Sequence, residues 1–288
     1  MTKVCSLLAL AAFSCAAADN RTALDLLAKA SAAFDANQAR EIHWNWTAME
    51  KRSLLNHSGA TVQTFPSVTA ESVLRANGNR CNAVVAWGDG LKPYKASASA
   101  DERCRAMDDF KPPFEVRELL RGSQAKIAPA SQGGTQILIA PDKARQRSDD
   151  PSIRCAASIE ATVSLDSASS FPRSIEGKVV TDGCEQRGSA PMQYGQASSK
   201  LMRSAFRKGA SFRMTFQLQK DKFANQANSF WICVSQHYVM PWDSDNEVLA
   251  YWGRQIPANS AGRQLVKDIS TRAREFGADS AVSFGDDH

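Results

Sequence analysis

The side chains best equipped for chemistry are four histidines, a scatter of cysteines and a large aromatic set, and their spacing decides between catalysis and binding. His43, His57, His237 and His288 stand apart from one another, with no H-E-x-x-H or comparable metal spacing, and no two cysteines form a C-x-x-C. Cys233 and His237 are the one conceivable nucleophile and base. Four residues apart on a single strand they lie ~13 Å from each other, beyond hydrogen-bond reach. No G-x-S-x-G elbow or phosphate-cradling loop is present, and Gly88-Asp89-Gly90 reads as a turn. Asp243, Ser244, Asp245, Asn246 and Glu247 alternate like calcium ligands without the glycine and distal glutamate of an EF-hand, which makes them a polar turn. No catalytic or metal-ligating residue is assigned on this basis, no cofactor is implied, and the expectation is a binding protein rather than an enzyme. A secreted hydrolase is the enzymatic alternative, because glycosidase-type carboxylate pairs need no local motif; Glu71, Asp89 and Glu160 are acids on or beside strands.

The compartment follows from the first eighteen residues. Lys3 leads into an apolar run from Val4 to Phe13, then into Ser14, Ala16, Ala17 and Ala18, with Ala16 and Ala18 at the positions of an A-x-A cleavage site. This reads as a cleavable signal peptide over residues 1–18, with Asp19 as the first mature residue and lipid attachment at Cys15 as the lesser alternative. The run is shorter than the ~20 residues that span a bilayer, and no later segment is apolar enough for a transmembrane helix. The expected location is periplasmic or secreted. Lys3 is the only charged residue in the signal, so the remainder holds 34 basic against 30 acidic residues. That mild, scattered excess excludes nucleic acid as the expected partner.

Five cysteines follow the signal: Cys81, Cys104, Cys155, Cys184 and Cys233. In an oxidising compartment the economical pairing is Cys81 with Cys104 and Cys155 with Cys184, leaving Cys233 as a buried thiol in an apolar strand. The second pair flanks an expected hairpin in which Val163 faces Ile175. That register leaves Cys155 about one residue short of Cys184, a gap for a bulge or the flexible Asp182-Gly183 to close.

These residues require elements to carry them. Asn20 to Asn37 has the pattern of an amphipathic helix, with Leu24, Leu27, Ala28 and Phe34 on one face and Thr22 and Asp25 as a capping box. Glu41 to Leu54 then alternates, with Ile42, Trp44, Trp46 and Ala48 inward. Strands follow at Glu71 to Arg75, Asn82 to Trp87 and Thr135 to Ala140, with a short helix between the last two that starts at Pro112-Pro113, is lined by Phe114, Leu119 and Leu120, and ends at Gly122. After the hairpin, Glu185 to Lys200 reads as a loop. Phe212, Met214, Phe216 and Leu218 alternate, Phe230 to Val234 is apolar on both faces and therefore central, and Val248 to Trp252 is a short strand. Ser260 to Phe276 reads as a closing helix with a stripe of Leu265, Val266, Ile269, Ala273 and Phe276. Residues 19–278 form one domain with a possible extension from about 200, and residues 279–288 a flexible tail.

The order of helix, long amphipathic strand, paired strands, Asp-Gly turn, Pro-initiated helix, Ile137-Leu138-Ile139-Ala140-Pro141-Asp142-Lys143 and hairpin resembles the periplasmic lipoprotein-carrier (LolA-like) family over about residues 19–183. The family's Arg-Pro followed by Phe and Trp is replaced here by Val73-Leu74-Arg75-Ala76-Asn77. The resemblance implies a mostly β, α+β fold: a strongly curved antiparallel half-barrel sheet with helices on its concave side. It also implies an apolar cavity that takes a lipid or the acyl chain of a lipoprotein. The residues expected to line such a cavity are Trp44, Trp46, Val85, Trp87, Leu138, Phe212, Met214 and Phe216. An envelope protein bound at a sheet edge, with no ligand, is the alternative partner.

Overall fold

A computed structural model of the 288-residue chain describes residues 5–40, 44–74, 80–88, 112–128, 134–184, 206–219, 229–242, 248–251, 254–257 and 259–275. Three helices are described: α1 (Cys5–Gln38), α2 (Val116–Leu120) and α3 (Pro151–Ala157). The strands are β1 (Trp44–Leu55), β2 (Thr61–Thr64), β3 (Val68–Leu74), β4 (Arg80–Trp87), β5 (Ala125–Ile127), β6 (Gln136–Ile139), β7 (Ile159–Leu165), β8 (Pro172–Val179), β9 (Ser211–Gln219), β10 (Phe230–Pro241), β11 (Val248–Tyr251), β12 (Arg254–Pro257) and β13 (Gln264–Glu275).

The curved, open antiparallel sheet runs in the order β4-β3-β1-β13-β10-β9-β8-β7-β6-β5, with β2 also paired to β1. Strands β11 and β12 form a separate two-stranded sheet. The late strands β13, β10 and β9 occupy the middle, so the C-terminal third of the chain joins the two N-terminal parts of one sheet. The fold class expected from the sequence, an α+β sheet with helices on its inner, concave side, is the one observed.

Three elements differ from their sequence patterns. Helix α1 begins at Cys5 rather than at Asn20, because the Ala- and Leu-rich stretch ahead of Asn20 is itself strongly helix-forming; Thr22 therefore lies inside the helix rather than at its start. Its buried stripe is Ala23, Leu27 and Ala30, with Phe34 packed beside it, and Ala28 is exposed. The expected closing helix is instead the twelve-residue strand β13. Cys155 lies in the last turn of α3, a helix started by Asp150, whose side chain accepts from the Ser152 N–H, and by Pro151.

Hairpin β7–β8 has the expected register, Val163 against Ile175. The remaining gap to Cys184 is closed by α3, and the Cys155–Cys184 disulfide forms with Cα atoms 4.0 Å apart. Gly183 passes against α3 so tightly that a Cβ there would collide with Ser158 and lie 2.7 Å from the Arg154 carbonyl. Cys104 lies outside the described residues, and with it the Cys81–Cys104 pairing; so do Ile42, His43, His288, Asp89, Asp243 to Glu247, the Glu185 to Lys200 loop and the tail.

Paired residues share a face, and this rule identifies the inner surface: Trp46, Ala48, Glu50, Arg52 and Leu54 on β1; Ala273, Thr271, Ile269, Lys267 and Leu265 on β13; Gln236, Tyr238 and Met240 on β10. Within this apolar surface sits a buried charge cluster. Arg52 Nε lies 2.5 Å from one oxygen of Glu50, and Lys267 Nζ lies 3.2 Å from the other. The three side chains are between 0 and 2 % exposed. Desolvation pushes the Glu50 carboxyl up, but Arg52 and Lys267, through their charges and hydrogen bonds, outweigh it and hold the group below its ordinary value of 4.5.

Because the folded-state value is depressed, the unfolded chain binds the proton more readily. The contribution of Glu50 is therefore complete above pH 4.5 and is lost as pH falls below it. Glu50→Gln leaves two buried cations without their carboxylate and is expected to cost about 3–5 kcal/mol at pH 7. Urea unfolding across pH 3 to 7 checks both points: the wild type loses stability below about pH 4.5, and the gap to the variant narrows there. A variant of wild-type stability at pH 7 would refute the assignment.

Candidate functional site

Strands β10 and β13 are paired from Ser235 opposite Ser270 to Pro241 opposite Gln264. Beyond Ser270, β13 continues along β1, pairing Thr271 with Ala48 and Ala273 with Trp46, whereas β10 continues along β9. The two central strands part company, and a wedge opens between them. On the β9 side, the register slips at a bulge between Cys233 and Ser235, which puts Trp231 and Cys233 on the inner face with Phe216, Met214 and Gln236. Phe230 and Ile232 consequently pack with Trp44 in a second, smaller cluster. This is why the segment is apolar on alternate residues of both sets.

The C-terminal turn of α1 fills the mouth of the wedge. Asn37 donates from Nδ2 to the Trp231 carbonyl at 2.8 Å and accepts the Trp231 N–H on Oδ1 at 2.7 Å, taking the place of a neighbouring strand. One helical turn before it, Phe34 stacks on Phe171 at 5.8 Å, which stacks on Trp231 at 5.0 Å and meets Phe216 edge-on at 5.6 Å. Between these rings lies a cleft of about 220 Å³ walled by Phe34, Trp46, Phe171, Met214, Phe216 and Trp231. Its polar surface comes from Asn37, Gln38, Gln236 and Thr271, with the Cys233 thiol beside them. Burial pushes that thiol up to about 12, so it stays protonated and unreactive at neutral pH.

Of the residues expected from the sequence to line an apolar cavity, Trp46, Met214 and Phe216 meet at this cleft. Trp44 stacks on Phe230 at 6.2 Å in the adjacent cluster. Phe212 packs instead among Phe114, Phe206 and Tyr238, its ring seated over Gly177, where a Cβ would lie 2.7 Å from it. Leu138 faces a broad outer trough of about 1330 Å³ that carries Glu160, Glu176, Lys178, Arg213 and His237. Val85 and Trp87 lie on β4, and their side chains fall outside the described residues. Sequence reasoning missed Phe34 and Phe171 as walls and Asn37 as the plug. Phe34 was visible as part of the helix stripe; a turn phenylalanine and a helix-end asparagine carry no periodic signal.

The remaining chemistry-bearing side chains are engaged elsewhere. His237 is on the outer face, its Nδ1 2.7 Å from Asp268, so strand parity as well as distance separates it from Cys233. His57 Nε2 accepts from Arg263. Asp142, at the end of the Ile137-to-Lys143 stretch, accepts from the Ser123 hydroxyl and from the backbone N–H groups of Ala144 and Arg145, a structural clamp on the chain reversal. Among the described residues no group of three histidine, cysteine or acidic side chains is placed to hold a metal ion.

No family model matches the chain, and no curated protein matches it. Solved structures do. A domain from Vibrio parahaemolyticus named for outer membrane lipoprotein sorting aligns over 88% of this chain and 94% of its own, at 11% identity and a TM-score of 0.34. A DUF1329 family protein from Desulfovibrio piger aligns over 92% of this chain and 95% of its own, at 8% identity and a TM-score of 0.33. The Pseudomonas aeruginosa MucA/MucB complex contributes a chain covered in full by 89% of this one, at 11% identity and a TM-score of 0.19. The reading of function rests on this chain's own cleft.

Replacing Asn37 by alanine removes both bonds to Trp231 and leaves a backbone donor and acceptor to be satisfied at the wedge. The expected loss is about 1–3 kcal/mol in urea unfolding, with an unchanged slope, together with faster hydrogen exchange at the Trp231 amide. Unaltered exchange would show that the plug is not held by Asn37.

Proposed function

We propose that the chain is an exported envelope protein that binds an apolar chain, such as the acyl chain of a lipid or lipoprotein, in the cleft between α1 and the parted strands β10 and β13. The observation that carries this reading is the aromatic-walled cleft itself: concave, apolar on its walls, and set beneath the helix end whose Asn37 makes two hydrogen bonds to the Trp231 backbone. Export is supported by the signal-like residues 1–18 and by the Cys155–Cys184 disulfide, which suits an oxidising compartment. Removal of residues 1–18 leaves the part of α1 that carries Ala23, Leu27, Ala30, Phe34 and Asn37, so the cleft is retained in the mature protein. No described helix is long and apolar enough to cross a membrane.

Size limits what the cleft holds. At about 220 Å³ it falls below the ~300–1,000 Å³ of drug-sized sites. It equals the space of about seven waters at ~30 Å³ each, which suits one chain of roughly eight carbon atoms rather than two or three chains side by side.

Each methylene buried is worth ~0.8 kcal/mol, or about fourfold in affinity. In a series of straight-chain alcohols from butanol to dodecanol, binding followed by the fluorescence of Trp46 and Trp231 is expected to strengthen about fourfold per carbon and then level off near eight carbons. Phe216→Asp, which places a carboxylate in the wall, should abolish binding while the purified wild type yields an extractable acyl ligand by native mass spectrometry. A protein that comes out empty and is stabilised by no member of the series would overturn the reading in favour of a protein-interaction module.

A further inference from the structure

The cleft also has a charge specification. Its described lining contains no aspartate, glutamate, lysine, arginine or histidine; the hydrogen-bonding groups are the amides of Asn37, Gln38 and Gln236 and the hydroxyl of Thr271. Ionised side chains on the same elements are turned to other partners. Asp35 pairs with Arg117 at 2.6 Å, which neutralises the guanidinium that also donates to a described lining residue, Gln38 Oε1 at 2.9 Å, and Arg40 donates to the Ser229 carbonyl. Glu50, two residues beyond Ala48, lies between Arg52 and Lys267. Asp268, on the opposite face of β13, meets His237.

A carboxylate or ammonium head drawn into this wedge would lose its water without meeting an opposite charge, which is the costliest kind of burial. An ester, alcohol or amide head loses much less, since each of its hydrogen bonds can be replaced by one to a side-chain amide or hydroxyl. We propose that the cleft selects a single uncharged chain, a neutral single-chain lipid such as a fatty acyl ester, and rejects the free fatty acid and the alkyl amine of the same length. This specificity rests on the apolar-chain reading above and adds the head group to it.

The test compares four eight-carbon compounds on the mature wild-type protein at pH 8: octanol, methyl octanoate, octanoate and octylammonium, each titrated below its aggregation concentration against tryptophan fluorescence and melting temperature. Octanol and methyl octanoate are expected to bind at least tenfold more tightly than octanoate or octylammonium. Tighter methyl octanoate than octanol identifies an ester as the preferred head, and the reverse order identifies a hydroxyl; either supports the neutral specification. Octanoate binding as tightly as octanol overturns this inference, leaves the apolar-chain reading standing, and points to Arg52 and Lys267 as groups that reach the ligand. Failure of all four to bind overturns the apolar-chain reading itself. A second variant works in the opposite direction: Thr271→Lys puts a cation at the partly exposed rim of the wedge and is expected to raise the affinity for octanoate relative to that for octanol at least tenfold. No relative gain for octanoate in a folded variant would show that head-group charge is not read at this cleft.

Discussion

The pairing of β13 with β1 on one side and β10 on the other is the constraint from which the rest of the molecule follows. Without it the sheet falls into two pieces, β4-β3-β1 and β10-β9-β8-β7-β6-β5, each with a long exposed edge. The joint is made between residues some two hundred apart in sequence, Arg52 with Lys267 and Leu54 with Leu265, so it closes the largest loop in the chain and carries a corresponding entropic cost. It is also where the charge cluster sits. Glu50 and Arg52 come from one strand and Lys267 from the other, and Tyr238, paired with Lys267 across the next strand boundary, donates to Gln236 at 2.6 Å. The charge cluster thus ties β1 to β13 in the middle of an apolar face, beside a polar pair on β10.

The cleft is the other consequence of the same joint. A sheet in which β10 and β13 stayed paired along their whole length would have no wedge, and α1 would lie on a continuous apolar surface. Separation after Ser235 and Ser270 exposes the inner side of Trp231 and Cys233 and leaves the Trp231 backbone facing the gap, which Asn37 satisfies. One asparagine therefore does for the helix end what a strand would otherwise do, and it does so at the mouth of the space that the aromatic rings enclose.

These two features also explain what the sequence disclosed and what it hid. Strands β6, β7, β8 and β9 alternate openly because their inward residues are apolar, and the 163–175 register could be read from that alternation alone. Strand β13 could not. Its inward set is Leu265, Lys267, Ile269, Thr271 and Ala273, and a lysine and a threonine at alternate places erase the period of two. What remains, Leu265, Val266, Ile269 and Ala273, falls by accident on a helical spacing. In the sequence the inward run of β1 stops at Ala48 for the same reason, since Glu50 and Arg52 look like solvent-facing residues until a partner 217 positions away is brought against them. Local pattern carries no information about such a partner. The cleft was legible only in part: Trp46, Met214 and Phe216 lie on alternating strands, whereas Phe171 is in a turn and the bulge that turns Trp231 inward is set by pairing.

A buried charge cluster is weak evidence for stability, because desolvation of three ions offsets most of their attraction. Register is the property it is well placed to fix. In an apolar joint, a slip of β13 by two residues would still present Leu265, Ile269 or Ala273 to the core. Here a slip in the direction that sets Lys267 opposite Leu54 would carry it away from Glu50 and leave the carboxylate with a single cation. A slip of one residue would bury Asp268 and Val266 and send Lys267 to solvent. Neither alternative keeps the two cations on one carboxylate. Because the same register sets where β13 leaves β10, it also sets which residues, Thr271 and Ala48 among them, border the wedge. The charged cluster and the uncharged cleft are therefore complementary parts of one design: the first confines the cations and fixes the strand that ends at the second, and the second is left with neutral hydrogen-bonding groups alone.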